Sequence, residues 1–234
     1  MIARDQRSRA KSVEAKSVEA KSVEAKSVGP ESGYHHGDLQ EALIAATEAI
    51  LADQGAEGFT LREAARRAGV SPAAPSHHFG NAPGLLTEVA IRGYDALAAT
   101  LKQAAAKKGS ERQRLHAQGL AYVEFALTYP GRFQMMFSNK RLIADDERLR
   151  TAARTAHREF EIVLDDVIGH EPRATPKLAK AASTAAWSTV HGFAKLALDG
   201  KFGAADTETG RREIMASLRQ VLDYLWPLDV AKRR

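Results

Sequence analysis

The residues able to do chemistry are few, and their spacing argues against catalysis. The chain of 234 residues has no cysteine, which removes disulfides, thiol nucleophiles and thiolate metal sites together and suits a reducing compartment. No Gly-x-Ser-x-Gly elbow, no phosphate-cradling glycine loop and no Glu-x-x-His pair for a di-iron bundle occurs. His157, Glu161 and Asp165 stand four residues apart and would share one helical face, as metal ligands must. Arg154 and Arg158 lie beside them, and that mixture reads better as a solvated ion-pair face. The pairs His35-His36 and His77-His78 are poor chelates, because neighbouring helical residues point about 100° apart. No catalytic residue, metal or cofactor is therefore expected.

A different kind of chemistry is offered by residues 59–79. Thr60 and Glu63 have capping-box spacing. The helix they open holds Ala64 and Ala65, small enough for a second helix to approach, and stops at Gly69. Ser71 then reads as the cap of another helix with Pro72 in its first position, where a missing N–H is harmless. Two short helices joined by a tight glycine turn make a helix-turn-helix, which can seat its second helix in a major groove or simply form a core corner. Pro75 falls where it would remove a helical hydrogen bond. The local charge opposes a simple electrostatic binder. Residues 34–80 carry Arg62, Arg66 and Arg67 against Asp38, Glu41, Glu48, Asp53, Glu57 and Glu63.

The elements around this corner are helical throughout. Asp38 suits an N-cap, with Leu39, Leu43, Ala46, Ile50 and Leu51 following at three- and four-residue steps until Gly55 and Gly58. Further helices are predicted over 85–106, 115–128, 132–137, 145–168, 176–198 and 207–225, and no alternating pattern asks for a strand. No apolar run reaches the roughly 18 residues of a membrane span. The charged N-terminus offers no secretory h-region. Residues 1–33 stand apart: Lys-Ser-Val-Glu-Ala repeats from Lys11, and a five-residue period spirals its valines around a helix instead of aligning them. A disordered basic tail is expected there. Across the whole chain, 34 Lys and Arg against 29 Asp and Glu leave a net charge of +5, which permits a nucleic-acid partner without requiring one.

Tyr34-His35-His36-Gly37-Asp38-Leu39, Thr60-Leu61-Arg62-Glu63, Ala68-Gly69-Val70-Ser71, Ala74-Pro75 and His78-Phe79-Gly80 closely resemble the DNA-binding domain of TetR-family transcriptional regulators. Tyr129-Pro130-Gly131-Arg132-Phe133, with Trp187 and Val190-His191-Gly192, resembles the regulatory domain of members with a Trp…His-Gly signature. The resemblance implies an all-α protein: a three-helix DNA-binding domain over 34–82, a connecting helix over 83–106, and a larger ligand-binding and dimerisation domain over 107–234. It implies that Ser71 to about His78 enters the major groove. Ala73 and Ala74 would then touch thymine methyls, Ser76, His77 and His78 would reach bases or phosphates, and Arg62 would pair with guanine or phosphate. Thr60 and Ser71 would hold phosphates. Two departures weaken phosphate anchoring: Ser76 stands where tyrosine is frequent, and Ala82 where lysine is frequent.

For the second half, the resemblance turns the aromatic and sulfur side chains Tyr122, Phe125, Phe133, Met136, Phe137 and Phe160 into candidates for an effector pocket, with Trp187 and His191 adding polar tips. Helical spacing and composition alone favour plain core over a cavity. Ala182, Ala186, Val190 and Phe193 on one helix and Leu218, Val221, Leu222 and Leu225 on another are the candidate homodimer seam, a four-helix bundle across a two-fold axis. The expected protein is thus a cytoplasmic, nucleoid-associated regulator, by family habit a repressor, whose partners are a double-stranded operator, a small-molecule effector and its own twin. The alternative is a helical ligand-binding or scaffolding dimer that does not bind DNA.

Overall fold

Every predicted apolar stripe folds into a helix, and most of the α-helices are opened by a short polar side chain or a proline. The computed structural model describes residues 36–170 and 175–228, and no strand occurs among them. The basic repeat tail lies outside the described residues. Helix α1 (His36–Gln54) begins ahead of Asp38, which sits in its first turn instead of capping it. A 3-10 turn (Ala56–Gly58) leads to α2 (Leu61–Ala68) and α3 (Ala74–Phe79). Helix α4 (Ala82–Ala105) starts at Asn81, whose side chain accepts from the Gly84 N–H at 2.9 Å. It is followed by α5 (Glu111–Thr128), α6 (Pro130–Met136), α7 (Glu147–Gly169), α8 (Pro176–Leu198) and α9 (Glu208–Leu225). Ser110 and Gln113 close a full capping box on α5. Asp146, Thr175 and Thr207 cap α7, α8 and α9 through their side chains, each worth about 1 kcal/mol.

The helices enclose two apolar clusters joined along α4. The lower one gathers Ile44, Ile50 and Leu51 of α1, Phe59, Ala64 of α2 and the first half of α4 from Leu85 to Ile91. It also takes Met135, Leu142, Leu149 and Ala152 from α6, the α6–α7 connection and α7, so side chains from both sides of residue 106 share it. The upper cluster runs from Leu97 on α4 through α5, α7, α8 and α9. Tyr94 packs against both. At about 1.5 Å per residue, the 24 residues of α4 span about 36 Å, long enough to belong to both.

Helix α6 is the wedge between the clusters. A side chain on Gly131 would put its Cβ 2.5 Å from the Leu51 carbonyl carbon and 2.7 Å from the Ala52 nitrogen, so only glycine lets α6 rest on the backbone of α1. Gly93, inside α4, is a second close approach: a Cβ there would meet Met136 Sδ at 2.7 Å and Arg132 Cγ at 3.1 Å. It is a bed for α6 within a regular helix. Arg132 crosses to Glu48 of α1 at 2.6 Å and lies 4.8 Å over the Tyr129 ring. Arg141 pairs with Glu57, and Arg148 with Glu88 at 2.8 Å. Among the described residues no helix is long and apolar enough to cross a membrane.

Candidate nucleic-acid interface and ligand cavity

The corner made by α2 and α3 owes its shape to a few backbone groups. Thr60 accepts the Glu63 N–H at 3.1 Å, but only that half of the expected capping box exists. The Glu63 carboxylate turns outward, clamping Arg66 and Arg67 at 2.8 and 2.9 Å, and these bonds pull its pKa down to about 2. Gly69 ends α2 in the left-handed region at φ 68°, while the Val70 N–H reaches back to the Ala65 carbonyl at 3.0 Å. That is the hydrogen-bond pattern of a Schellman stop.

The second helix starts later than the Ser71-Pro72 signature suggests. The Ala74 N–H bonds to the Ser71 carbonyl at 3.0 Å, making a turn of 71–74, and α3 opens at Ala74 with Ala73 as an N-cap lacking a side-chain bond. Pro75 therefore occupies the second helical position. Its missing N–H is one of the orphans every helix start has, which explains why the helix tolerates it. The predicted span from Ser71 to His78 is corrected to Ala74–Phe79.

Of the residues expected to meet DNA, Thr60, Arg62, Ser71, Ala73, Ser76 and His77 are exposed, whereas Ala74 and His78 are half-buried. Thr60, Arg62, Val70 and Pro72 border one shallow groove on this surface. Arg62 makes no ion pair with any described residue, unlike its neighbours. Arg67 is doubly held, by Glu63 and by Asp53 at 2.7 Å. The cationic reach of α2 is thus concentrated in Arg62.

In the upper half a cavity of ≈ 570 Å³ opens between α4, α5, α7 and α8, within the range of small-molecule sites. Tyr122, Phe137, Phe160 and Trp187 line it as expected. Phe125 and Phe133 are buried and do not line it, Met136 lines an adjoining cavity instead, and His191 is not part of the lining. The wall includes Tyr94, Leu97 and Leu101 of α4, and Ala153, Arg154, Ala156, His157, Arg158 and Glu161 of α7, none of which the sequence reading assigned to it. The i, i+3, i+4, i+7 spacing of Ala153, Ala156, His157 and Phe160 is a usable signal for that face. Val190 also lines the cavity. His157 pairs with Glu161 at 3.3 Å, and Arg158 with Asp165 at 3.2 Å, the ion-pair face anticipated for this stretch. No group of three metal-ligating side chains occurs among the described residues.

One polar pair is built into the aromatic wall. The Tyr122 hydroxyl lies 2.9 Å from His191 Nδ1. Burial pushes the phenol up and holds the imidazole down, with Lys195 adding to the second effect. Phe137 packs edge-on to His191 at 4.4 Å, and Trp187 lies 5.6 Å from it. Tyr94 donates to the Met136 carbonyl at 2.8 Å, and burial raises its pKa to about 12.

The expected dimer seam needs correction. Ala186, Val190 and Phe193 of α8 and Leu218 and Leu222 of α9 are buried within the chain itself, with Ala182 and Val221 packed against the same cluster. Gly119 of α5 would place a Cβ 3.1 Å from Leu222 and 3.4 Å from Val190. These faces are turned largely to α5; of the eight, Ala182 and Val221 are half-buried and Leu225 is exposed. Leu178, Trp187, Leu196, Tyr224 and Leu228 are the other large apolar side chains exposed on or near α8 and α9.

Two family models match the chain. The bacterial regulatory proteins of the tetR family match residues 43–89, and the tetracyclin repressor-like C-terminal domain matches residues 115–225. No curated protein matches it in sequence. Among solved structures, a protein of unknown function from a Rhodococcus species is 29% identical, with a TM-score of 0.67 over 84% of this chain and 100% of that one. The TetR-family transcriptional regulator PfmR from Thermus thermophilus is 16% identical, with a TM-score of 0.62 over 79% of this chain and 96% of its own. A TetR-family transcriptional regulator from Bordetella parapertussis shares 16% identity and a TM-score of 0.60 over 79% and 93% of the two chains.

Proposed function

This chain belongs to the TetR family of bacterial regulatory proteins, and we propose that it acts as a ligand-responsive repressor in the cytoplasm, a homodimer released from its operator by a small molecule. The family and fold are those of transcriptional regulators, which are not enzymes. The observation that carries the DNA-binding reading is the outward row Thr60, Arg62, Ser71, Ala73, Ser76 and His77 around the α2–α3 corner. Arg62 supplies the bidentate fork, Ser76 and His77 reach base edges, Ala73 meets a methyl, and Thr60 and Ser71 fix register on phosphates.

A two-fold dimer presents two such corners about 34 Å apart to successive major grooves, so the operator is roughly palindromic. Leu178 and Leu196 of α8, which share one face, and Leu225 of α9 stand outward and support a seam on those faces. Release follows from linkage: an effector that prefers a wrongly spaced pair of corners is itself bound less well on DNA. Thousandfold release needs about 4 kcal/mol of coupling. Tyr94 of the cavity wall is tied to Met136, the last residue of α6, and α6 rests on α1 through Gly131 and Arg132, which supports a route from ligand to corner. The basic tail of residues 1–33 adds phosphate contacts.

The pairing of Arg66 and Arg67 with acids favours the second reading, a ligand-binding dimer without DNA affinity. A gel-shift assay on the DNA flanking its own gene, at two salt concentrations, tests both. Retention that weakens with salt supports the regulator, and no retention at either concentration supports the dimer alone. Deleting residues 1–30 lowers the affinity and flattens its salt dependence; an unchanged slope removes the tail from the interface.

A further inference from the structure

Beside the first cavity lies a second, of ≈ 340 Å³, and the two share Tyr94 and Ala153 in their walls. The first borders the upper core. The second is lined by Leu142 and Leu149, which belong to the lower cluster beneath the α2–α3 corner. Resting on the regulator reading above, we infer that the two chambers form one site for an elongated alkyl carboxylate, and that only a chain long enough to pass Tyr94 into the second chamber shifts the DNA-reading helices.

Three observations support this. Tyr94 is a partition with one tether: it packs against both clusters, and its hydroxyl is held by the Met136 carbonyl alone. Behind it the second chamber touches the first half of α4 through the lower core. The Ile143 N–H, next to Leu142, donates to buried Thr87 of α4 at 2.9 Å. Filling this chamber therefore pushes on the helix whose start carries α3, whereas filling the first alone leaves the lower core undisturbed. At the outer rim Arg154 and Arg158 each hold their partners (Glu147 and Thr151, Glu161 and Asp165) through a single Nη. The rest of each guanidinium fork has donors for a carboxylate, and exposed ion pairs of this kind yield readily. The head stays at α7 and the tail runs inward past Tyr94 and Ala153.

The test is calorimetric titration of the full chain with saturated carboxylates from octanoate to hexadecanoate, below their micelle concentrations. Release of a labelled operator fragment is followed in parallel. Each methylene taken out of water tightens binding up to about fourfold, so affinity climbs along the series while only its longer members release DNA. Ala144 is exposed and lines the second chamber only. In Ala144→Phe the ring fills that chamber, hexadecanoate binding drops about tenfold or more, and octanoate binding holds. Tyr94→Phe, which lacks the tether, brings release at a shorter chain. Four results overturn the inference: no carboxylate binding, affinity independent of length, equal losses for octanoate and hexadecanoate in Ala144→Phe, or full release by octanoate. Dodecanol binding as tightly as dodecanoate overturns the anionic head. A protein that shows the length dependence but retains no operator keeps the two-chamber site and loses the regulator reading.

Discussion

Removing either partner of the ion pair between Arg132 and Glu48 damages the protein more than removing both. The contact joins α6 to α1 at 2.6 Å, and only about a fifth of either side chain is exposed (20% and 23%). Arg132 Nε and Glu48 Oε1 are buried without partners, so the pair is joined through one bond where two were available. Breaking a fully buried pair costs about 3–5 kcal/mol, because the remaining charge is stranded. Partial exposure brings that to about 2 kcal/mol here. The same principle makes replacement of both charges by apolar groups of similar volume close to neutral. In urea unfolding, Glu48→Leu and Arg132→Leu are each expected to lose about 2 kcal/mol, or about 4–8 °C in Tm for a chain this size. The double variant should recover most of the loss. Additive losses would refute the reasoning, since they would mean that each side chain stabilises through its own packing.

Three further outcomes follow from the geometry. Gly131→Ala forces a Cβ to within 2.5–2.7 Å of the α1 backbone, so a loss of about 1–3 kcal/mol is expected by thermal melting despite the better helix propensity. A stabilised variant would show that α6 does not bear on α1. His191 has its pKa held below the ordinary 6.5, so the unfolded chain takes up its proton first as pH falls. Its contribution is complete above about pH 6.5 and is lost toward the lower folded value. Melting temperature should fall on the acid side more steeply in the wild type than in His191→Asn, and parallel curves would reject this. Leu196→Glu with Leu225→Glu should convert a dimer to a monomer by sedimentation with little change in the helical signal. A dimer that survives both changes would place the seam elsewhere.

Much of the architecture was legible because short polar caps and glycine stops act locally. Thr60, Gly69, Pro130, Pro176 and Gly200 lie where their backbone chemistry requires, and the helix limits follow them closely. What was lost depended on which neighbour covers a face. Val190, Phe193, Leu218 and Leu222 form clean stripes, and period alone gives an inner face and a partner-facing face the same signature. The position of α5 decides between them. Ser71-Pro72 carries the residues of a helix start, yet the chain spends them on a turn and begins α3 at Ala74. The α7 side of the cavity was hidden because Arg154 and Arg158 keep charged heads in water, and His157 a polar ring, while bordering an apolar space, the usual behaviour of amphipathic side chains.

The central claim is that the α2–α3 corner reads duplex DNA, and the salt dependence of binding tests it most directly. Fluorescence anisotropy with the DNA flanking the gene, for the wild type and Arg62→Ala across a range of salt, gives both affinity and slope. A falling log K against log salt is expected, with Arg62→Ala weaker by about 1–3 kcal/mol. If that contact is to phosphate, the slope should also shrink by about one. Binding that ignores salt, or an Arg62→Ala protein indistinguishable from the wild type, would contradict the account.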